Sequence, residues 1–187
     1  MNQNNPTASS LAVLPVLKYG NPLLRKKVRP IHDFAIIPEM LETMFKSMEA
    51  ENGIGLAANQ VGFNYNLLII DTRNYNDGEE GETHIFVNAE ILHSEGEAII
   101  EEGCLSIPNI HAEIKRPEAI VLKYQDVEQN IYERYFSGFI SRTIQHEVDH
   151  LNGKLFIDYL PQAKRILINK HLLEISKTGK LSSGIIL

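Results

Sequence analysis

Residues 138–152 constrain the fold of this chain most, because they follow a helical pattern in which one stripe is apolar and another carries two histidines. One stripe is apolar and suits packing on a core: Ile140, Ile144, Val148 and Leu151. His146 and His150 are four residues apart on a neighbouring stripe, and Glu147 lies between the two stripes. We therefore predict a central helix that contacts the core and also presents two imidazoles on one face.

The remaining periodic segments predict an α+β fold with antiparallel or mixed β-sheets packed around that central helix. Residues 36–51 predict an N-terminal amphipathic helix, and its methionines suit core packing. A C-terminal helix is predicted from Pro161 to about Lys177. The predicted strands are 66–72, 84–92, 97–101, 119–126 and 130–136, with a loop over 74–82.

Length and composition indicate one globular domain over residues 1–187, with a disordered leader at 1–10 and a mobile tail at 178–187. The net charge of -6 and the pI of about 5.6 do not point to nucleic acid, DNA included, or to an anionic membrane surface as partners. Cys104 is the single cysteine, so an intrachain disulfide is impossible and a reducing compartment is favoured. We therefore expect a cytoplasmic protein.

The pattern H-E-x-x-H at residues 146–150 is typical of metal-dependent hydrolases, but it supplies only two protein ligands. Phe156 stands where one protease class has its third histidine, which excludes that class. Two candidates remain for the third ligand, Glu174 on the C-terminal helix and the thiolate of Cys104. The surroundings of Cys104 favour it, because a predicted strand leads in, Gly103 permits close approach and Pro108 ends the segment.

A block of small residues at 53–60 also needs an explanation. Glycine and alanine there allow the backbone to come close to another group, and Gln60 ends the block with an amide donor. The block lacks the G-K-[ST] ending of a phosphate-binding loop.

Three motifs taken together resemble the peptide deformylase family, and the resemblance spans about residues 13–159. They are G-x-G-x-A-A-x-Q at 53–60, E-G-C-L-S at 102–106 and Q-H-E-x-D-H-L-x-G at 145–153. The resemblance implies a hydrolase that removes the formyl group from the N-terminal formylmethionine of new polypeptides and releases formate. It implies a metal held by Cys104, His146 and His150, with Fe²⁺ as the native ion and Zn²⁺, Ni²⁺ or Co²⁺ as possible substitutes.

The resemblance also assigns roles in the reaction. Glu147 exchanges the proton of the attacking water, while the Gln60 side-chain amide and the Leu105 backbone N–H stabilise the formyl oxygen. The peptide adds as an extended strand beside Ile54, Gly55 and Gly103. The implied methionine pocket is lined by Ile54, Glu102, Phe139, the stem of Arg142, Thr143 and His146.

The expected partners are N-formylmethionyl nascent chains and the ribosome near its exit tunnel, and the expected state is a monomer. Two other functions remain open at this point. One is a zinc endopeptidase that uses Glu174 as its third ligand. The other is a non-catalytic binding protein, against which Glu147 and Gln60 both argue, because a binder needs neither a base nor an oxyanion donor.

Overall fold

The computed structural model describes residues 13–73, 81–180 and 185–187. The predicted leader at 1–10 and most of the predicted loop at 74–82 lie outside these ranges. The helices are α1 Ile37–Ala50, α2 Gly138–Leu151 and α3 Gln162–Thr178. The strands are β1 Gly55–Ala57, β2 Leu67–Asp71, β3 Thr83–Glu95, β4 Ala98–Cys104, β5 Ile107–Arg116, β6 Ala119–Gln125, β7 Ile131–Ser137 and β8 Ile185–Ile186.

The strands form two sheets. The larger is antiparallel, in the order β1-β2-β3-β6-β7, and the smaller has the order β4-β5-β8. In the smaller sheet β4 runs antiparallel to β5, whereas β8 runs parallel to it. Helix α2 contacts β1, β2, β6 and β7, and α3 packs on β5. This arrangement confirms the predicted α+β fold with a central helix between sheets.

Helix α1 covers one side of the larger sheet with its methionines. Met40, Met44 and Met48 are all buried and pack in one cluster with Leu67 and Ile69 of β2. The core-packing prediction for these methionines is therefore confirmed. The helix ends at Ala50, within one residue of the predicted end. Asn52, with a φ of 54°, then turns the chain so that the Gly53 N–H donates to the Met48 carbonyl oxygen at 2.9 Å.

The apolar stripe of α2 is buried as predicted. Ile144 is fully buried, and Val148 and Leu151 are nearly so. These residues pack against the opposite face of β2, at Leu68 and Ile70. The stripe thereby fixes the helix on the sheet, and the stripe that carries His146 and His150 is not part of this packing. No helix within the described ranges combines the length and the apolar character needed to cross a membrane.

Besides the short strand β8 near the end of the chain, two strands were not predicted from the sequence, and the prediction that the segment ends at Pro108 is wrong. Strand β5 runs through Pro108, because the pairing with β4 shifts register between Glu102 and Cys104. A proline fits at such an irregularity, where no ladder hydrogen bond from its nitrogen is required. The other unpredicted strand, β1, has only three residues, too few to show periodicity.

The end of the chain differs from the predicted mobile tail, of which residues 181–184 lie outside the described ranges. Helix α3 continues to Thr178, and Ile185–Ile186 pairs with β5 as β8. The Leu187 N–H donates to the His111 carbonyl oxygen at 3.0 Å, and the Leu187 side chain packs on the core beneath α3. The last three residues are held by their backbone pairing with β5 and by the packing of the Leu187 side chain.

Candidate active site and metal centre

Helix α2 brings the two histidines of the H-E-x-x-H pattern together, as the four-residue spacing predicts. The ring centroids of His146 and His150 are 5.1 Å apart. His150 is almost completely buried, and the Phe156 ring lies over His146 with 6.2 Å between the ring centroids. The residue that excludes a third histidine ligand therefore serves as an apolar wall of the site.

Cys104 ends β4 directly beside this pair. Its Sγ lies 3.2 Å from Nε2 of His150. One ligand atom from each of Cys104, His146 and His150 lies within 4.8 Å of the others. A thiolate and two imidazoles are ligands that suit zinc, iron and related divalent metals, and three protein ligands leave a position open for water or substrate. The donor set therefore fits a catalytic metal ion.

Glu102 orients one of these histidines. Its Oε2 is 2.9 Å from Nδ1 of His146, which leaves Nε2 of that ring for a metal. Burial alone would raise the pKa of Glu102, but hydrogen bonds from His146 and Arg116 and the charge of Arg116 lower it to about 2. Glu102 is thus an ionised acceptor that holds the His146 ring, a role that the sequence analysis did not assign to it.

The carboxyl group of Glu147 is buried next to Gly55 of β1. A Cβ added to Gly55 would lie only 2.6 Å from Glu147 Oε1, so this close approach requires glycine. Oε2 of Glu147 is buried and has no hydrogen-bond partner among the described residues. Burial raises the pKa of Glu147 to about 7, which places it where a carboxyl group can both accept and return a proton near neutral pH.

Gln60 is held in a fixed orientation close to the thiol. Its Oε1 accepts a hydrogen bond from the Ala57 N–H at 2.8 Å, and its Nε2 donates to Ser106 Oγ at 3.2 Å. The same Nε2 is 4.0 Å from Cys104 Sγ. The small-residue block therefore brings an oriented amide donor to the edge of the metal site.

These groups open into one pocket of about 540 Å³. All the predicted substrate-binding residues line it: Ile54, Gly55, Glu102, Gly103, Phe139, Arg142 and Thr143. Gln60, Cys104, Leu105, His146 and Glu147 line it too, and His150 lies deeper. Only the stem of Arg142 is free to face the pocket, because its guanidinium donates to Glu102 Oε1 and to the carbonyl oxygens of Ile114 and Ala98.

The pocket also contains residues that the sequence analysis missed. Ile100 lies two residues before Glu102 on β4, so the alternation of strand residues could have identified it. Pro108, Asn109 and His111 belong to the unpredicted strand β5, and no local pattern placed them at the site. They extend the pocket wall beyond the predicted lining.

Glu174, the alternative third ligand, lies on α3 and outside the group of converging ligand atoms. Helix α3 buries Ile168, Leu172 and Ile175 against the smaller sheet. This packing, on the side of the molecule formed by β5, favours Cys104 over Glu174.

A model of the family described as polypeptide deformylase matches residues 13–166 of this sequence. This chain belongs to the peptide deformylase family. Peptide deformylases are hydrolases that remove the N-formyl group from the formylmethionine at the start of new polypeptides, and this chain is an enzyme of that kind. The family implies a divalent metal, for which the described residues provide the candidate site.

Individual deformylases agree with this assignment in sequence and in fold. The peptide deformylase of Chlorobium phaeovibrioides is 39% identical over 168 residues, which cover 88% of this chain and 87% of that protein. The crystal structure of the deformylase from Thermus thermophilus has a TM-score of 0.81 at 34% identity, covering 90% of this chain and all of that chain. A Met-Ala-Ser-bound deformylase from Acinetobacter baumannii has a TM-score of 0.74 at 34% identity. The match covers 80% of this chain and 99% of that chain.

Proposed function

We propose that Cys104, His146 and His150 hold the divalent metal of this deformylase, and that Glu147 is its acid–base residue. The observation that carries the proposal is the convergence of the three ligand atoms within 4.8 Å in a pocket that Glu147 also lines. The raised pKa of Glu147 supports its role, because a base with a pKa near 7 can take up and return a proton. We further propose that the described chain works as a single catalytic unit.

When bound, the metal would act as a Lewis acid and lower the pKa of a water molecule. Glu147 takes one proton from the attacking water, whose oxygen forms a bond to the formyl carbon. Gln60 Nε2 and the Leu105 N–H then donate hydrogen bonds to the formyl oxygen, on which negative charge develops. Glu147 returns the proton to the amide nitrogen as the carbon–nitrogen bond breaks, so the products are formate and a free amino terminus.

We propose that the peptide binds as an added strand at the open edge of β4. Gly103 lies on that edge, and Gly55 lies across the pocket from it. The methionine side chain would occupy the pocket between Ile54, Ile100 and Phe139, which offer an apolar lining. A relative of similar fold has been solved with Met-Ala-Ser bound, a peptide that begins with methionine.

The decisive experiment compares two substitutions that remove one candidate ligand each. We expect Cys104→Ser to lose its metal and its release of formate from formyl-Met peptides, whereas Glu174→Gln keeps both. Metal content is measured by elemental analysis and formate by a coupled assay. The opposite pattern would contradict the proposal and support the endopeptidase alternative.

We propose Fe²⁺ as the native ion, with Zn²⁺, Ni²⁺ or Co²⁺ able to occupy the same ligands. The support is the ligand set, because a His₂Cys site binds each of these metals. Purification without oxygen followed by anomalous scattering at each metal edge identifies the ion. Full activity of the zinc form and none of the iron form would contradict the iron proposal.

We propose a cytoplasmic monomer that meets its substrates at the ribosome. Although the net charge is -6, eleven of the 18 Lys and Arg residues lie in residues 18–29 and 154–180, together with only two acidic residues. These segments adjoin, since a Cβ on Gly20 would lie 2.6 Å from Ser176 Cβ. A basic surface of this kind suits the phosphates of ribosomal RNA.

Sedimentation with ribosomes at increasing salt tests this partner. We expect the exposed pair Lys26→Glu and Lys27→Glu to weaken cosedimentation at least tenfold, because both charges lie on the basic surface. The control replaces Lys123 and Arg134 with glutamate; these residues lie on β6 and β7 of the larger sheet, outside the two basic segments. Equal losses in both variants would contradict a role for this surface, and sedimentation velocity reports whether the protein is a monomer.

A further inference from the structure

A buried arginine, Arg116, connects the strand that carries Cys104 to the helix that carries the histidines. It is the last residue of β5 and is only 4% exposed. Its Nε and Nη2 donate to the two carboxylate oxygens of Glu102, at 2.6 and 3.0 Å. Its Nη1 donates to Asp149 Oδ2 of α2 at 2.5 Å. One side chain therefore fixes two carboxylates that flank the candidate metal ligands.

Arg116 contacts both oxygens of Glu102, whereas Arg142 contacts only Oε1, so Arg116 contributes most to how that carboxylate faces the metal site. Because each oxygen accepts from a different nitrogen of the planar guanidinium, the carboxylate is held in one plane. Its Oε2 also accepts from His146 Nδ1. A carboxylate fixed in this way keeps the proton of His146 on Nδ1 and leaves Nε2 as a lone-pair donor.

The second connection holds the helix. Asp149 lies between the two turns that carry His146 and His150, and it accepts from Arg116 with one oxygen and from Tyr159 with the other, at 3.1 Å. The Tyr159 ring covers the guanidinium, with 4.6 Å from the Arg116 Cζ to the ring centroid. Arg116 thus connects Glu102 on β4 to α2, in addition to the direct contacts that Arg142 and His146 of α2 make with Glu102.

We propose that Arg116 is a positioning residue of the metal centre, which fixes Glu102 and thereby the tautomer and the ring orientation of His146. The inference rests on the metal site proposed above. A lysine could supply the charge but not three hydrogen bonds in one plane, so the geometry and not the charge alone is decisive. Arg116 does not itself line the pocket or supply a ligand atom, and it acts only through these carboxylates.

The test measures metal affinity and the Nδ1–H signal of His146 in the full chain. We expect Arg116→Lys to bind Co²⁺ on the order of 10–100-fold more weakly in competition with a chelator, the range for loss of a ligand-orienting partner. We also expect the Nδ1–H signal of His146 in the Zn²⁺-loaded protein to shift from its wild-type position, because its acceptor Glu102 is no longer held in one plane. Tyr159→Phe is the matched control, because it removes one hydrogen bond to Asp149 and leaves both contacts with Glu102 intact. Its Co²⁺ affinity should stay within twofold of the wild type.

Several outcomes overturn the inference. It fails if Arg116→Lys keeps both wild-type Co²⁺ affinity and the wild-type Nδ1–H signal of His146 in the Zn²⁺-loaded protein, or if its melting temperature falls while affinity is unchanged. If Arg116→Lys does not fold, Glu102→Gln tests the same connection, and wild-type affinity in that variant also overturns it. Wild-type affinity in Cys104→Ser would instead overturn the proposed metal site, so the two failures are distinguishable.

Discussion

The substitution Gly55→Ala tests the position of Glu147 without removing any reacting group. A Cβ at residue 55 would lie 2.6 Å from Glu147 Oε1 and 3.0 Å from Thr143 Cγ2, whereas ordinary contact begins at 3.4 Å. The carboxylate must therefore retreat by about 0.8 Å. Misplacement of a catalytic group by about 1 Å costs on the order of 100-fold in rate, which corresponds to roughly 2.7 kcal/mol of transition-state stabilisation.

We expect kcat/KM for a formyl-Met peptide to fall about 100-fold in Gly55→Ala, with metal content unchanged because no ligand moves. Formate release from the metal-loaded protein provides the assay. Gly62→Ala is the control, since nothing lies within 4 Å of its Cβ and its φ of +92° makes the change costly only to stability. The control should lose about 1–2 kcal/mol of unfolding free energy and little activity.

Activity of Gly55→Ala within threefold of the wild type would refute the reasoning. A second variant separates the two contacts, because Thr143→Ser removes Cγ2 and leaves Glu147 unchanged. If Gly55→Ala combined with Thr143→Ser regains full activity, crowding of Thr143 and not displacement of Glu147 explains the loss.

Three further predictions concern stability and are measured by denaturant unfolding. Met44→Ala, at a fully buried site, should cost about 2–5 kcal/mol, whereas Ile166→Ala, 66% exposed, should cost less than about 0.5 kcal/mol; similar losses would contradict the assigned core. Arg25→Ala breaks an exposed pair with Asp158 and should cost less than about 1 kcal/mol, so a larger loss would mean that the pair is more than a surface contact. Removal of residues 185–187 should cost about 1–3 kcal/mol through lost β8 hydrogen bonds and Leu187 burial, and an unchanged midpoint would show that β8 adds nothing.

Local patterns were sufficient to predict the parts of the fold that depend on local periodicity. The helix of residues 138–152 could be predicted because its apolar stripe and its histidines both follow helical spacing. The surroundings of Cys104 favoured it as the partner of His146 and His150, and the three ordered motifs supported this grouping, although no local pattern connects a strand end to a helix 42 residues later. The structure then brings their ligand atoms within 4.8 Å.

The parts that could not be predicted arise from pairing between distant segments. Strand β5 was missed because a proline at position 108 indicates the end of a strand unless the register shift of the partner strand β4 is known. The function of Glu102 was missed for a related reason. Its environment is made by Arg116 and His146, which approach it only after β5 and α2 have folded around β4.

The open edge of β4 also affects how the protein behaves at high concentration. Strand β4 has a neighbour on only one side in the sheet order of the described strands, and Ile99 and Ile100 are 64% and 38% exposed. An exposed apolar strand edge is a template on which other chains can aggregate. A bound peptide would cover that edge, so preparations stored with a peptide-like ligand should resist aggregation better than ligand-free ones.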